Sequence, residues 1–189
     1  TIEPNTVFGE LARKGRLPLA RDDDYAETFS AVEALLARHG FEHYEVSNYA
    51  RPGESSRHNQ HYWLGGDYLG LGCAAVGCRT ARPGFARRVR NQPNPQQYLA
   101  ADSLEALCSE SETLDAQDLV REALLLGLRT ATGVDLAFTT ERAGVDPLHG
   151  RERALERQLA RGNVELTGQH LRVPQARWLH LDSITTDLF

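Results

Sequence analysis

The stretch Tyr44 to Thr80 reads YEVSNYARPGESSRHNQHYWLGGDYLGLGCAAVGCRT, and the rest of the chain is organised around it. Its centre is a dense polar-aromatic cluster of His58, Asn59, His61, Tyr62 and Trp63. Neutral imidazole is the commonest metal ligand and a frequent axial ligand of haem iron. Tyr and Trp each add a large flat surface with one polar handle. Together these residue types suit a planar macrocycle better than a small anion. The plainer alternative is an aromatic-rich loop packed on a barrel rim, with His58 or His61 hydrogen-bonded. A zinc site from His43, His58 and His61 is a third option, although their spacing matches no closed ligand pattern.

To the left of this cluster, Asp22, Asp23 and Asp24 open a helix, because their carboxylates cap free N–H groups and face the positive end of the dipole. Tyr25, Phe29, Val32 and Leu36 recur at helical spacing and predict one buried face. Gly40 ends the helix at the C′ position. Phe41 to Asn48 then reads as a strand, so helix and strand look like half of a βαβ unit. Thr1 to Phe8 reads as a short extended start that turns at Pro4-Asn5. To the right, Tyr68 to Gly77 is apolar and poor in bulk after Leu71. It reads either as a tightly packed strand or as a strand end lying against a planar or nucleotide-like ligand. Arg79 to Arg90 holds five arginines and no acid, and its alternation suggests an edge hairpin. Such a run can also pair with carboxylates of a ligand or partner.

Pro93 to Pro95 breaks the chain, a short helix is expected over Gln96 to Leu107, and a polar connection leads to a domain boundary near residues 108–113. Beyond it, Asp115 caps a helix to about Arg129. Phe138 to Ala143 and Arg151 to Ala160 read as two more helices. Val164 and Leu166 face Leu171 and Val173 across a hairpin turn. A last helix from Gln175 to Leu188 buries Trp178, Leu181 and Ile184. Three helices, a hairpin and a helix make a winged-helix-like module. Nine Arg stand against eleven Asp plus Glu from Thr113 to Phe189, which argues against phosphate binding and assigns the module a structural role.

The 189 residues carry a net charge of −5, 41% apolar and 25% charged residues, an ordinary balance for a globular protein and a weak argument against nucleic acid. No apolar run approaches the roughly 20 residues of a transmembrane span. Cys73, Cys78 and Cys108 fit a reduced, cytoplasmic chain rather than a disulfide framework. The chain contains no methionine and begins at Thr1, so a piece of a longer protein is expected. No Ser-His-Asp arrangement and no phosphate loop can be argued from these residues.

The run EVSNYARPG, then RHNQHYW, then GDYLGLGCAAVG resembles the HemW family of radical S-adenosylmethionine (SAM) proteins, relatives of oxygen-independent coproporphyrinogen III oxidase. The likeness continues through Asn91 and Tyr98, the GLRTATGVDL segment and the terminal LDSITTDLF. The pattern HNxxYW, here His58 to Trp63, marks the haem-chaperone branch. The resemblance implies an α/β fold: residues 1–110 as the end of a partial (β/α) radical SAM barrel with added strands, and residues 111–189 as a small helical winged-helix-like domain. It implies a cytoplasmic chaperone that binds haem and passes it to apoproteins, with a homodimer as an option. The alternative is the oxidase, which converts propionates of coproporphyrinogen III to vinyl groups by oxidative decarboxylation.

The resemblance also implies residue roles. His58, Asn59, Tyr62 and Trp63 would contact haem, with His58 the iron ligand. Thr1, Ile2, Gly70, Gly72 and Val76 would lie near SAM. A 4Fe-4S cluster would be held in the full-length protein by a CxxxCxxC loop, a motif this chain does not contain. The piece alone is therefore expected to neither hold the cluster nor cleave SAM, and to associate, swap or misfold in isolation. The family's glycine-rich segment commonly reads GAGAHG. Here it is GCAAVG, with Val76 in place of the histidine, which removes any ligand role at that position.

Overall fold

The first helices follow from their caps. Thr6 accepts a hydrogen bond from the Gly9 amide at 3.1 Å and opens α1, Val7–Arg13. Glu10 pairs with Arg13 at 2.7 Å and with Lys14 at 2.9 Å along it. The extended start expected here is thus helical from Val7. α2, Asp22–Arg38, carries its three aspartates in the first turn, and Gly40 follows it with φ of +79°. The expected buried face is not buried: α2 buries no residue, and Tyr25 and Val32 are 62% and 40% exposed. The computed structural model describes residues 2–18 and 21–189 and divides into two units, Thr1–Phe41 and Glu42–Phe189.

In the second unit, Phe41 to Asn48 is not a single strand. β1, Glu42–Glu45, turns back on β2, Asn48–Ala50, with His43 opposite Tyr49. The half-βαβ expectation fails at this point because the chain reverses at Val46-Ser47 instead of continuing. Every strand pairing among the described residues is antiparallel.

α3, Arg57–Trp63, comes next, followed by an irregular segment to Ala75. β3, Val76–Arg82, and β4, Phe85–Asn91, form the expected arginine-rich hairpin. α4, Pro95–Ala100, and α5, Leu104–Leu107, lead to β5, Cys108–Asp115. β5 pairs along the whole of β4, so β4 is the central strand of three and not an edge. The reason is electrostatic. Glu110 and Glu112 of β5 lie opposite Arg90 and Arg88, and Arg88 also binds Glu122. Burial works against the Arg88 charge, but the carboxylate of Glu122 more than offsets it and holds the guanidinium above its ordinary pKa. The stretch 108–113, where a boundary is expected, is part of this strand.

Asp115 caps α6, Ala116–Gly127, with its carboxylate accepting from the amides of Gln117 and Asp118. β6, Val134–Asp135, precedes α7, Leu136–Ala143, and then α8, Glu152–Ala160. β7, Glu165–Thr167, and β8, His170–Arg172, form the hairpin, with Leu166 opposite Leu171, and β6 joins β8 on its other side. A 3-10 helix, Gln175–His180, runs into α9, Leu181–Asp187. The core gathers Leu114, Leu119, Leu124, Leu128, Leu171, Ile184 and Leu188, all at 2% exposure or less. Leu119, Val120 and Leu124 are the buried large side chains of α6, which packs against β5, β6, α3 and α7 to exclude water from them. No helix among the described residues is long and apolar enough to cross a membrane.

Candidate functional site

The site is built on a buried carboxylate. Glu45, 1% exposed, accepts from Arg129 Nη2 at 2.7 Å and Nε at 2.9 Å. Its second oxygen accepts from the Ser47 amide at 2.9 Å and the Asn48 side-chain amide at 2.6 Å. Backbone bonds from Val46 to the Arg129 carbonyl and from Ala131 to the Tyr44 carbonyl complete the junction. The EVSN and GLRT segments are therefore one structural unit, a link that sequence reading did not make. A buried carboxylate near an arginine across 84 positions leaves no local periodicity to find. Its role is to fix the start of the chain that leads to α3.

α3 begins at Ser56, whose hydroxyl accepts from the Asn59 amide at 3.2 Å. HNxxYW is thus a short helix and not a loop, because the Ser56 cap stabilises its first turn. Its side chains divide. His58 meets Tyr62 edge-on at 4.6 Å, and Tyr62 meets Tyr68 edge-on at 4.5 Å. Trp63 lies 6.1 Å from the ring of Tyr44. His61 turns elsewhere: its Nε2 is 2.7 Å from the backbone carbonyl of Asp67. A carbonyl only accepts, so Nε2 carries the proton and Nδ1 keeps its lone pair in the neutral ring.

Beside α3 is an open cavity of about 550 Å³. His61, Trp63, Leu64 and Gly66 form one side. Ala123 and Gly127 of α6, Val134 of β6, Phe138 of α7 and His170 of β8 are among its other walls. A side chain on Gly127 would come within 2.6 Å of Val134 Cγ2, so glycine lets α6 and β6 close this wall. The volume lies in the ordinary range for small-molecule and cofactor sites, and the lining is mostly apolar with a few polar groups. His58, Asn59 and Tyr62 do not line it. The cavity thus receives two of the cluster's residues, His61 and Trp63. The apolar and aromatic walls suit a flat apolar ligand.

The glycine-rich segment is an irregular loop, not the strand expected over Tyr68 to Gly77. Tyr68 pairs with Cys78 across an isolated bridge, and regular pairing starts at Val76, where β3 begins. Close backbone approach is the cause: a side chain on Gly70 would lie 2.7 Å from the Val76 carbonyl carbon, and Gly72 has φ of +101°. Asn91 donates to the carbonyls of Gly70 and Gly72 at 3.0 and 2.9 Å, and the Tyr98 hydroxyl accepts from the Gly72 amide at 3.1 Å. Asn91 and Tyr98 thus clamp the loop from β4 and α4. Leu69 and Leu71 stand 70% and 85% exposed on the loop. Gly70, Gly72 and Val76 are brought together here. Ile2 lies outside any strand in the other unit and is 38% exposed, and Thr1 lies outside the described residues.

The zinc option does not assemble: no metal-sized group of three His, Cys, Asp or Glu occurs among the described residues. His43 instead stacks on Tyr49 at 4.0 Å and meets Trp178 edge-on at 4.4 Å, a packing role. The cysteines do not fit an iron–sulfur cluster either. Cys73 is exposed, Cys108 is half-buried at the start of β5, and Cys78 is buried, which pushes its thiol above the ordinary pKa.

Comparison with known proteins follows the same outline. The family model described as HemN C-terminal domain matches residues 114–180. The heme chaperone HemW of Lactococcus lactis subsp. lactis is 35% identical over 133 residues, covering 70% of this chain and 34% of that protein. HemW of Mycobacterium tuberculosis is 34% identical over 190 residues, covering 99% and 45%. A mitochondrial radical S-adenosyl methionine domain-containing protein 1 of Mus musculus is 31% identical over 195 residues, covering 100% and 44%. Escherichia coli coproporphyrinogen III oxidase (HemN), a radical SAM enzyme, superposes with a TM-score of 0.62 at 17% identity, over 94% of this chain and 44% of that one. The chain thus spans less than half the length of each of these relatives.

Proposed function

This chain belongs to the HemW family, as a C-terminal portion, and from that premise we propose that it is the part of a radical SAM-family chaperone that binds haem for transfer to apoproteins. The observation that carries the reading is the placement of HNQHYW. This stretch forms α3, and α3 borders an apolar cavity with an imidazole and an indole at its wall. His58 is the candidate iron ligand by resemblance, with Asn59, Tyr62 and Trp63 beside it. Gly70, Gly72 and Val76 belong to the same reading as positions near SAM in the full-length protein, together with Ile2 and Thr1.

The finer architecture belongs to this reading too. Residues 1–110 would complete a partial (β/α) barrel, and residues 111–189 would form a winged-helix-like domain, with β5 carrying the sheet across the junction. Haem, when bound, supplies the cargo. The 4Fe-4S cluster and SAM would be held by the rest of the full-length protein, because no CxxxCxxC occurs in this chain. Cytoplasmic location, haem-accepting apoproteins as partners and a homodimer are further parts of the proposal. The oxidase alternative rests on the HemN C-terminal match over residues 114–180 and on fold likeness.

The test is a haem titration of the full-length protein and its His58→Ala variant, followed at the Soret band. A saturable shift in the wild type that weakens in the variant is expected. No saturable shift in the wild type would remove the carrier reading and return the oxidase to the front.

A further inference from the structure

We infer that Arg142 is a carboxylate-binding residue of the ligand site and receives a propionate of the haem. The inference rests on the haem-carrier reading above and names the residue that recognises the ligand's charge. Haem joins a flat apolar ring to two propionate carboxylates, so a site for it needs a cation at the edge of an apolar space. α7 supplies both. Phe138 and Arg142 are four positions apart on it, which places them on the same side of the helix. Phe138 walls the apolar cavity beside α3. It also walls a second open cavity of about 320 Å³, which Arg142 lines together with Gly65, Asp67 and Thr80. The guanidinium and the ring converge on one point: a side chain on Gly65 would lie 3.3 Å from Arg142 Nη1 and 3.7 Å from Phe138 Cε1.

The guanidinium is held in place at one nitrogen only. Asp67 Oδ1 accepts from the amide and from the hydroxyl of Thr80, each at 2.9 Å. A carboxylate only accepts, so the Thr80 hydroxyl donates there and its lone pair accepts from Arg142 Nε at 3.1 Å. The terminal nitrogens Nη1 and Nη2 make no hydrogen bond among the described residues. Nor does Arg142 form an ion pair with Asp67 or Glu141, the acids of this cavity. Glu141 is exposed, and Asp67 turns one oxygen to Thr80. The other cation there, Arg82, lies over the ring of Phe85 at 5.2 Å. Arg142 thus presents two parallel donors, fixed in direction by the Asp67–Thr80 relay, to a carboxylate that approaches end-on. A propionate is a flexible arm on a rigid ring, and it reaches this fork past the edge of Phe138 while the ring stays against the apolar wall.

The experiment titrates the full-length protein with haemin and with haemin dimethyl ester, followed at the Soret band. Wild type, Arg142→Gln and Arg142→Lys are compared, and circular dichroism checks that each form is folded. The ester keeps the iron and the ring but lacks both carboxylate charges. Wild type should bind haemin about tenfold more tightly than the ester. Arg142→Gln should bind the two alike, with its affinity for the ester unchanged. Arg142→Lys keeps the charge without the paired donors and should retain part of the preference. Equal affinity of the wild type for haemin and ester would overturn the inference and leave the carrier reading standing. So would a preference undiminished in the folded variants, or an equal weakening of both ligands in them. Absence of saturable binding of either ligand by the wild type would overturn both.

Discussion

Glu45 and His61 sit near each other in the sequence and are opposites in physical terms. Glu45 is buried, and both its oxygens are occupied by Arg129, Ser47 and Asn48. His61 is exposed at the wall of an open cavity, with Nε2 bonded to the Asp67 carbonyl. The first arrangement contributes stability and tolerates no change, because a buried charge needs every partner. The second contributes little to stability and borders space that something outside the chain can enter. The contrast teaches which side of the motif-rich stretch is scaffold and which side is site.

The sharpest way to break this comparison is Glu45→Ala. It leaves the Asn48 amide, the Ser47 amide and the Arg129 guanidinium without their acceptor, and should cost about 3 kcal/mol. Urea denaturation of the chain checks it. A loss under about 0.5 kcal/mol would mean that Glu45 is not the scaffold's hub. Asn91→Ala should cost less, about 1–2 kcal/mol, since it removes the donor to two glycine-loop carbonyls. Faster hydrogen exchange at residues 69–75, with α6 unchanged, is the expected signature. His58→Ala and His61→Gln should each move stability by no more than about 0.5 kcal/mol, and His58→Ala should alter the haem spectrum. A large destabilisation in either would place that histidine in the scaffold.

Two smaller effects extend the contrast to pH and thiol chemistry. Asp187 accepts from Gln158 and Arg157, and those bonds hold its carboxyl below the ordinary value. A depressed carboxyl stabilises the fold above its unfolded pKa, and that stability is lost as pH falls through the folded value. Asp187→Asn should therefore be least stable relative to wild type near neutral pH and approach it in acid, as thermal melts across pH 2–7 would record. Among the cysteines, exposed Cys73 should alkylate with iodoacetamide well before buried Cys78, whose thiol is pushed up by burial. Equal rates, read by mass spectrometry, would show that the β3 strand opens readily.

Local signals were legible without coordinates. The Asp22–Asp24 start of α2 and Gly40 after it, the Asp115 cap of α6, the β3–β4 hairpin, the β7–β8 hairpin and the burial of Trp178, Leu181 and Ile184 all follow from nearest-neighbour chemistry. The HNxxYW cluster stood out by composition alone. What failed were inferences that needed a partner. Phe41 to Asn48 has strand-like residues, but its reversal at Val46-Ser47 depends on Glu45 reaching Arg129. The acidic, sparsely apolar β5 reads as a linker until the arginines of β4 lie opposite it. The glycine-rich loop has a strand's residues, yet Asn91 and Tyr98 hold its backbone in another course.

The sequence by itself determined the elements whose ends are written in adjacent residues, and, through motif resemblance, the family. The tertiary structure alone decided which of two histidines one turn apart meets the cavity. That choice turns on a carbonyl six residues away and a glycine beside the ring, contacts that periodicity cannot encode because they arise only when the chain folds back on itself.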